Sequence, residues 1–416
     1  MNRSTGFALT ATFLWAATVG AVPVSSDQLK SMLEARSAKV NASKIEAEAA
    51  AEREGFFARS FMPSIEAQVA QENFKKGRGE NKTQPAYGIE ARLNLFNGGR
   101  DRLRGEIRQL RAREKTFGSQ RTLAEELEKT RPVYWNLLFL RDKIELLKET
   151  LQVNKSSLNS ALRRIKNGVA TDSDRFEFEM RAVDVERELA QAEVQFKSET
   201  RLLALLLGLP LETKFELGET WSHDHDLTAL LKHDHADHEF LIKESELQAE
   251  QMRLSAKEAG RVWWPKLDAF AAYNQFTERV EEFPDAEDRK ESVLGLRLSM
   301  HLPEGLESSR ESAALAREAE AQRLRASFQR QEIDNHLNTE MDELKVLHDQ
   351  VHASEDNVER AERYNRLTQS EYMRGVKNSP DVLGASEKLY GMKFKRLEIL
   401  RDFQVAKSHL LSKMGK

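Results

Sequence analysis

One property limits what this chain of 416 residues can fold into: it is written twice. The stretch RRIKNGVATDSD at 163–174 and the stretch EYMRGVKNSPDV at 371–382 share a Gly-Val pair, a short polar step and an acid close behind. Gly168 and Gly375 lie 207 residues apart, and at the same offset Asp174 falls on Asp381 and Gly208 on Gly415. Further back the match persists with small slips. FMPSIEAQVA (61–70) resembles WWPKLDAFAA (263–272), and IEARLNLFNGG (89–99) resembles LGLRLSMHLPEG (294–305), with Arg92 over Arg297. Helices resemble one another by chance, but an ordered recurrence of turns and strands does not arise that way. Each half therefore reads as helix, two short strands, long helix, turn, helix.

The long helices carry a strict period. Before the first turn, Leu137, Leu140, Ile144, Leu147, Leu151, Leu158 and Ile165 fall on a heptad seam, with Asn154 and Ala161 in the gaps. Before the second, Leu344, Leu347, Val351, Val358, Ala361 and Tyr372 occupy the same seam, displaced by the repeat. A sustained 3.5-residue period predicts coiled-coil packing. From Arg100 to Lys166 the first helix would run on the order of 100 Å at 1.5 Å per residue. No compact globular core needs that length. A cytoskeletal or scaffolding coiled coil remains open on periodicity alone.

Alternating strands argue against that. Tyr87, Ile89, Ala91, Leu93 and Leu95 alternate with Gly88, Glu90, Arg92 and Asn94; Ile65, Ala67 and Val69 alternate with Ser64, Glu66 and Gln68. The second half repeats the pattern at Leu267, Ala269, Ala271 and Tyr273, then at Leu294, Leu296, Leu298 and Met300. Period two with charges on one side predicts strands with one apolar and one wet face. Roughly ten residues is enough for a tilted strand to cross a bilayer. Four strands cannot close a barrel around water, so they pack on something within the chain or several chains pool them.

Composition narrows the setting. The chain opens MNRSTGFALTATFLWAATVGAVPVSS, with Arg3, an apolar run from Phe7 to Val19 and the small-residue step Val19-Gly20-Ala21. This predicts an export signal over residues 1–21, too short to span a membrane, and a mature chain beginning near Val22. The absence of cysteine leaves packing or oligomerisation to stabilise an exported chain, and excludes acylation on an N-terminal Cys. No other stretch offers about 20 consecutive apolar residues, so a membrane role would fall to strands. With 64 Lys+Arg against 68 Asp+Glu the net charge is −4, which gives no sign of a nucleic-acid partner. No phosphate-binding loop, nucleophile elbow or H-E-x-x-H helix is present, so neither an enzyme nor a cofactor is expected.

Taken together, the tandem halves, the Pro opening the first strand of each (MPSI, WPKL), LNLFNGGRDRLRG at a strand end and LLLGLP closing the first half resemble the TolC-type outer-membrane efflux protein family. The resemblance covers roughly residues 27–415. It implies a mainly α fold with a small β part: duplicated long coiled-coil hairpins and four strands per chain. Three chains would assemble a twelve-stranded barrel in outer-membrane lipid, continued by a periplasmic α-helical barrel. The implied function is a passive exit duct of a tripartite efflux or type I secretion system, with a periplasmic adaptor and an inner-membrane pump as partners. The domain layout expected is a signal peptide over 1–21, a first repeat over 22–222, a linker over 223–238 and a second repeat over 239–416. A periplasmic coiled-coil adaptor or scaffold is the alternative. Such proteins carry one hairpin among strand-rich domains, whereas two hairpins and four strands are expected here.

The two quoted turns would then be hairpin tips. Gly168 and Gly375 suit the positive φ that ends a helix. Ser379 is expected to N-cap the next helix, with Pro380 at its first position and Asp172 at the equivalent place in the first half. By resemblance Tyr372 is a gate tyrosine held by Asp174, Lys377 grips the neighbouring hairpin around Ser173, and Asp381, repeated in three chains, forms an anionic ring. Gly384 stands where some members carry a second acid. Arg164, Gly168, Val169, Gly375 and Val376 are assigned to the tips and to adaptor docking. A separate stretch, WSHDHDLTALLKHDHADHEF, gathers His223, His225, His233, His235 and His238 among acids. It is a weak metal candidate, read foremost as a hydrophilic linker. Trp263-Trp264 could anchor a strand at a membrane interface or simply pack a helix–strand junction.

Overall fold

The computed structural model describes residues 21–55, 60–75, 81–168, 171–221, 239–276, 289–301 and 307–414. The expected export signal as far as residue 20, Val169, and the whole His-rich stretch from His223 to His238 lie outside the described residues. In chain order the elements are β1 (Val22–Val24), α1 (Gln28–Arg36), α2 (Ala38–Glu52), β2 (Ser64–Lys75), β3 (Asn81–Asn97), α3 (Arg100–Lys166) and α4 (Asp172–Leu206). Then follow β4 (Phe215–Leu217), α5 (Glu239–Ala259), β5 (Lys266–Phe276), β6 (Arg289–Ser299), α6 (Glu307–Met373) and α7 (Ser379–Lys413). The duplication is present in the lengths themselves: α3 and α6 have 67 residues each, and α4 and α7 have 35 each. Among the described residues no helix is long and apolar enough to cross a membrane.

Two compact units divide the chain, each drawing segments from both halves. One unit (42–122 and 235–336) holds an antiparallel sheet in the order β2-β3-β5-β6. Its register proves the alternation. Ile65 pairs with Ala91, Ala91 with Ala271 and Ala271 with Leu294, while Val69 pairs with Tyr87 and Leu267 with Leu298. Directly paired residues share a face, so one side is apolar from edge to edge. That side is exposed, with Leu294 at 87% and Val69 at 77%. The other face carries Glu66 opposite Glu90, Ser64 opposite Arg92, and Asp268 between Asn94 and Arg297. Here Arg92 donates to Glu90 at 2.8 Å, Lys266 reaches Asp268 at 3.0 Å, and the Arg297 guanidinium lies 4.5 Å over the Phe270 ring.

The expected strands needed one adjustment. The ladder shifts between Asn94 and Phe96, so Phe96 and not Leu95 faces Leu267. A bulge of this kind absorbs one residue and changes the phase of everything after it, which a uniform period-two reading does not anticipate. Just beyond, Gly98 and Gly99 turn the chain into α3 with φ of 60° and 71°. A Cβ on Gly98 would stand 2.7 Å from Cβ of Trp264, so that close approach requires glycine. Trp263 and Trp264 are both about half exposed and meet edge to face at 6.2 Å. Arg261 lies over the Trp264 ring.

The other unit (1–41, 123–234 and 337–416) is helical, with one small addition. β1 and β4 form a parallel pair of three residues each, giving six strands among the described residues where four were expected. Runs this short carry no legible period. The pair caps a core of Leu29, Leu33, Leu127, Tyr134, Leu137, Leu138, Leu203 and Leu207. Glu219 clasps it: its carboxylate accepts from the Ser26 N–H (3.0 Å), the Ser26 hydroxyl (2.9 Å) and the fully buried Tyr134 hydroxyl (2.7 Å). Burial, and then the Glu219 carboxylate, push the Tyr134 phenol far above its ordinary value, so it stays a neutral donor. Further along, the heptad seam is buried as expected at Leu137, Leu140, Leu147, Asn154 and Ala161 of α3, and at Leu344, Val351 and Ala361 of α6.

Replacing Tyr134 by Phe removes one donor from this clasp. The expected cost is about 1–2 kcal/mol, read as a lowered thermal midpoint with retained helical circular dichroism. An unchanged midpoint would show that the clasp contributes nothing.

Candidate functional site

Both hairpin tips lie in the helical unit, and both are built alike. At the end of α3 the Gly168 N–H donates to the Ile165 carbonyl at 2.9 Å, with φ of 72° at Gly168. At the end of α6 the Gly375 N–H donates to the Tyr372 carbonyl at 2.9 Å, with φ of 79°, and Val376 N–H reaches the Glu371 carbonyl. An added Cβ at either glycine would meet nothing within 4 Å, so the positive φ, not space, selects glycine there.

The caps sit one residue earlier than the sequence suggested. Thr171 caps α4 and Asn378 caps α7, leaving Asp172 and Ser379 as the first helical residues. In each tip an acid three residues after the cap closes a capping box. The Thr171 N–H donates to Asp174 Oδ2 at 2.8 Å. The Asn378 N–H donates to Asp381 Oδ2 at 3.2 Å, and the Asp381 N–H returns to Asn378 Oδ1 at 3.1 Å. The match of Asp174 with Asp381 in the duplicated sequence thus has a local cause: both are box acids. Pro380 follows the first residue of α7, where its missing N–H costs nothing.

The cap shift has a consequence for Ser379. As the first helical residue it is buried, and its hydroxyl lies 3.3 Å from the hydroxyl of Tyr372, itself 5% exposed. The Ser379 hydroxyl also faces the Asp174 carboxylate and favours its charged form. Ser379 therefore stands between Tyr372 and Asp174, where the resemblance implied a direct hydrogen bond. Burial alone would raise the Asp174 carboxyl. The Thr171 N–H, the Ser379 and Thr171 hydroxyls and the nearby Arg164 outweigh it and hold the group below its ordinary range.

Arg164 supplies the second tie. Its guanidinium donates to the Tyr372 carbonyl at 2.7 Å and lies 4.1 Å over the Tyr372 ring. A residue assigned to docking thus grips the tyrosine of the other hairpin by charge, hydrogen bond and ring face together. Lys377 stands 3.9 Å from Asp381, both partly exposed. Ser173, Gly375 and Val376 are exposed at the surface, as is Gly384. Behind the tips the hairpins hold together through Arg181–Glu387 (3.4 Å), Tyr390 donating to Glu188 (3.1 Å), and the packing of Tyr390 against Leu147, Val185 and Ala192. A cavity of about 140 Å³ opens between them, lined by Asn154, Phe178, Asn365, Ser386 and Tyr390.

Ser379 and Arg164 were the residues whose roles the sequence hid. The box pattern Asn-x-x-Asp, read for its spacing, would have placed the cap at Asn378 and Ser379 inside the helix. Arg164 offers no such signal, since its partner is 208 residues away.

Known proteins agree with this architecture. A family model described as outer membrane efflux protein matches residues 29–209 and 233–416. Among solved structures, CusC, described by its conformational changes on folding and transmembrane channel formation, superposes with a TM-score of 0.79 at 12% identity, covering 94% of this chain and 91% of that one. The outer membrane protein VceC of Vibrio cholerae gives 0.74 at 16% identity, covering 94% and 96%. The CmeC outer membrane channel of Campylobacter jejuni gives 0.77 at 12%, covering 94% and 85%. No curated protein sequence matches the chain. The duplicated hairpins, the four-stranded sheet and a family match over most of its length make this chain an outer-membrane protein of the outer membrane efflux protein family.

Proposed function

We propose that three copies of this chain pool their sheets into one closed barrel in outer-membrane lipid, and that their helical hairpins form a periplasmic duct through which cargo leaves passively. The observation that carries this reading is the sheet: one apolar, exposed face, one wet face, and two edge strands, β2 and β6, with no outer neighbour among the described residues. Pooling removes the edges, gives the apolar face to lipid and turns the charged face to water. On this reading residues 22–222 and 239–416 are the two repeats, 223–238 the linker between them and 1–21 the export signal. An adaptor docks at the tips around Gly168, Val169, Gly375 and Val376, and an inner-membrane pump, of an efflux or type I secretion system, supplies the energy.

The tips close the duct. Arg164 holds Tyr372, and Ser379, beside the Tyr372 hydroxyl, faces Asp174 across the tips, so an opening movement that separates the hairpins must break the Arg164 tie and part Ser379 from Asp174. Asp381 and Lys377 add charge at the mouth, where three copies of Asp381 form an anionic ring.

Outer-membrane fractions crosslinked in place should give a trimer. Recovery of a soluble periplasmic monomer would end this reading and favour the adaptor alternative.

For the gate, the Arg164 tie is a hydrogen bond with a charged partner, about 1.5–3 kcal/mol. Arg164→Ala, or Asp174→Ala combined with Tyr372→Phe, should shift the closed–open ratio roughly 10- to 100-fold toward open, seen as raised conductance in planar bilayers. Unchanged closed-state conductance in both would sink the gate assignment.

The Asp174 tie also has a pH signature. Because the folded carboxyl titrates below its ordinary value of 3.8, its contribution is complete above that value and disappears as pH falls below it. Protection of the Thr171 amide from hydrogen exchange, corrected for intrinsic rate, should hold from neutral pH to about 4 and fall below it. In Asp174→Asn it should be lower and flat with pH.

A further inference from the structure

On α6, in the helical unit, His348 and His352 stand one helical turn apart on the same face. Their rings lie 4.8 Å apart between centroids and nearly perpendicular, at 83°. His348 is largely covered, its side chain 16% exposed, and leans toward Phe403 of α7 at 6.1 Å between ring centres. His352 is exposed. Asp349 Oδ1 lies 3.8 Å from His348 Nδ1. None of these residues takes part in the tips, the seam or the sheet.

We infer that His348 and His352 form a two-imidazole chelate for a borderline divalent transition cation such as Cu²⁺, Ni²⁺ or Zn²⁺. Two imidazoles at i and i+4 on one helix face converge on a single ion, and neutral imidazole suits these metals over Mg²⁺ or Ca²⁺. Helix α6 fixes the backbone of both ligands, and packing toward Phe403 restricts the His348 ring, so little freedom is lost on binding. Among the described residues no group of three or more His, Asp or Glu side chains converges as a metal cage. The remaining coordination positions therefore belong to water, which makes the site open and its ion readily exchanged. The inference stands on these side chains alone and does not depend on the duct reading.

The test must separate this pair from the five histidines between 223 and 238. In full-length protein with His223, His225, His233, His235 and His238 changed to Asn, Cu²⁺ is titrated calorimetrically and its nitrogen coordination read by electron paramagnetic resonance. The expected result is one Cu²⁺ per chain with two nitrogen ligands. Both His348→Ala and His352→Ala should weaken it by about tenfold or more, while His336→Ala leaves it unchanged; second-shell changes alone reach 10- to 100-fold in such sites. His352 is exposed, so its replacement tests the chelate even if the His348 variant folds poorly. Absence of binding in the five-Asn protein, or binding unaffected by His352→Ala, overturns the proposal.

Discussion

A strand at the edge of a sheet presents a row of N–H and C=O groups that hydrocarbon cannot satisfy. Everything else in this chain follows from that constraint. The four-stranded sheet has an apolar, exposed face from β2 to β6, the surface of an element meant for lipid, yet among the described residues of one chain it ends in two open edges. In water such edges invite aggregation; in a bilayer they are forbidden. A sheet that must close beyond its own chain needs copies held in register, and the long hairpins are suited to that task. Their buried seam fixes each hairpin internally, and a stripe of exposed apolar residues on α4, including Phe176, Met180, Val183 and Val194, is left for contact with other surfaces.

Duplication supplied the frame, and divergence supplied the asymmetry. Both tips keep the glycine with positive φ, the cap and the box acid, because any hairpin of this geometry requires them. What differs is the load placed on that frame. The second tip contributes Tyr372 and Ser379; the first contributes Arg164 and Asp174, so the two are complementary and not equivalent. Asp174 serves twice, closing its own helix and facing Ser379 across the tips. A local stabilising device has thereby become a cross-hairpin contact at no cost in new residues.

Much of this was legible in the residues. Heptads and alternation gave the long helices and the four long strands, since both depend on local periods that sequence displays directly. The repeat offset gave the paired tips. Illegible parts share a cause: they rest on contacts between residues far apart in the chain or on single-residue shifts. The bulge at Asn94–Phe96 moved Leu95 out of phase, and the caps at Thr171 and Asn378 moved Ser379 from the helix boundary into its interior. Arg164 read as a surface cation because nothing near it in sequence announces Tyr372. The pairing of β1 with β4 was hidden for the same reason, three residues on each side being too few to show a period.

That small parallel pair also sets an order of events. Val22–Val24 finds its partner only at Phe215–Leu217, and Ser26 finds Glu219 across 193 residues. A chain threaded into the periplasm from its N-terminus must therefore hold its first strand unpaired until the whole first half has emerged. Loop closure over such a span is slow compared with helix formation. The clasp joins the two ends of the first repeat, so it can close only once the hairpin between them is available.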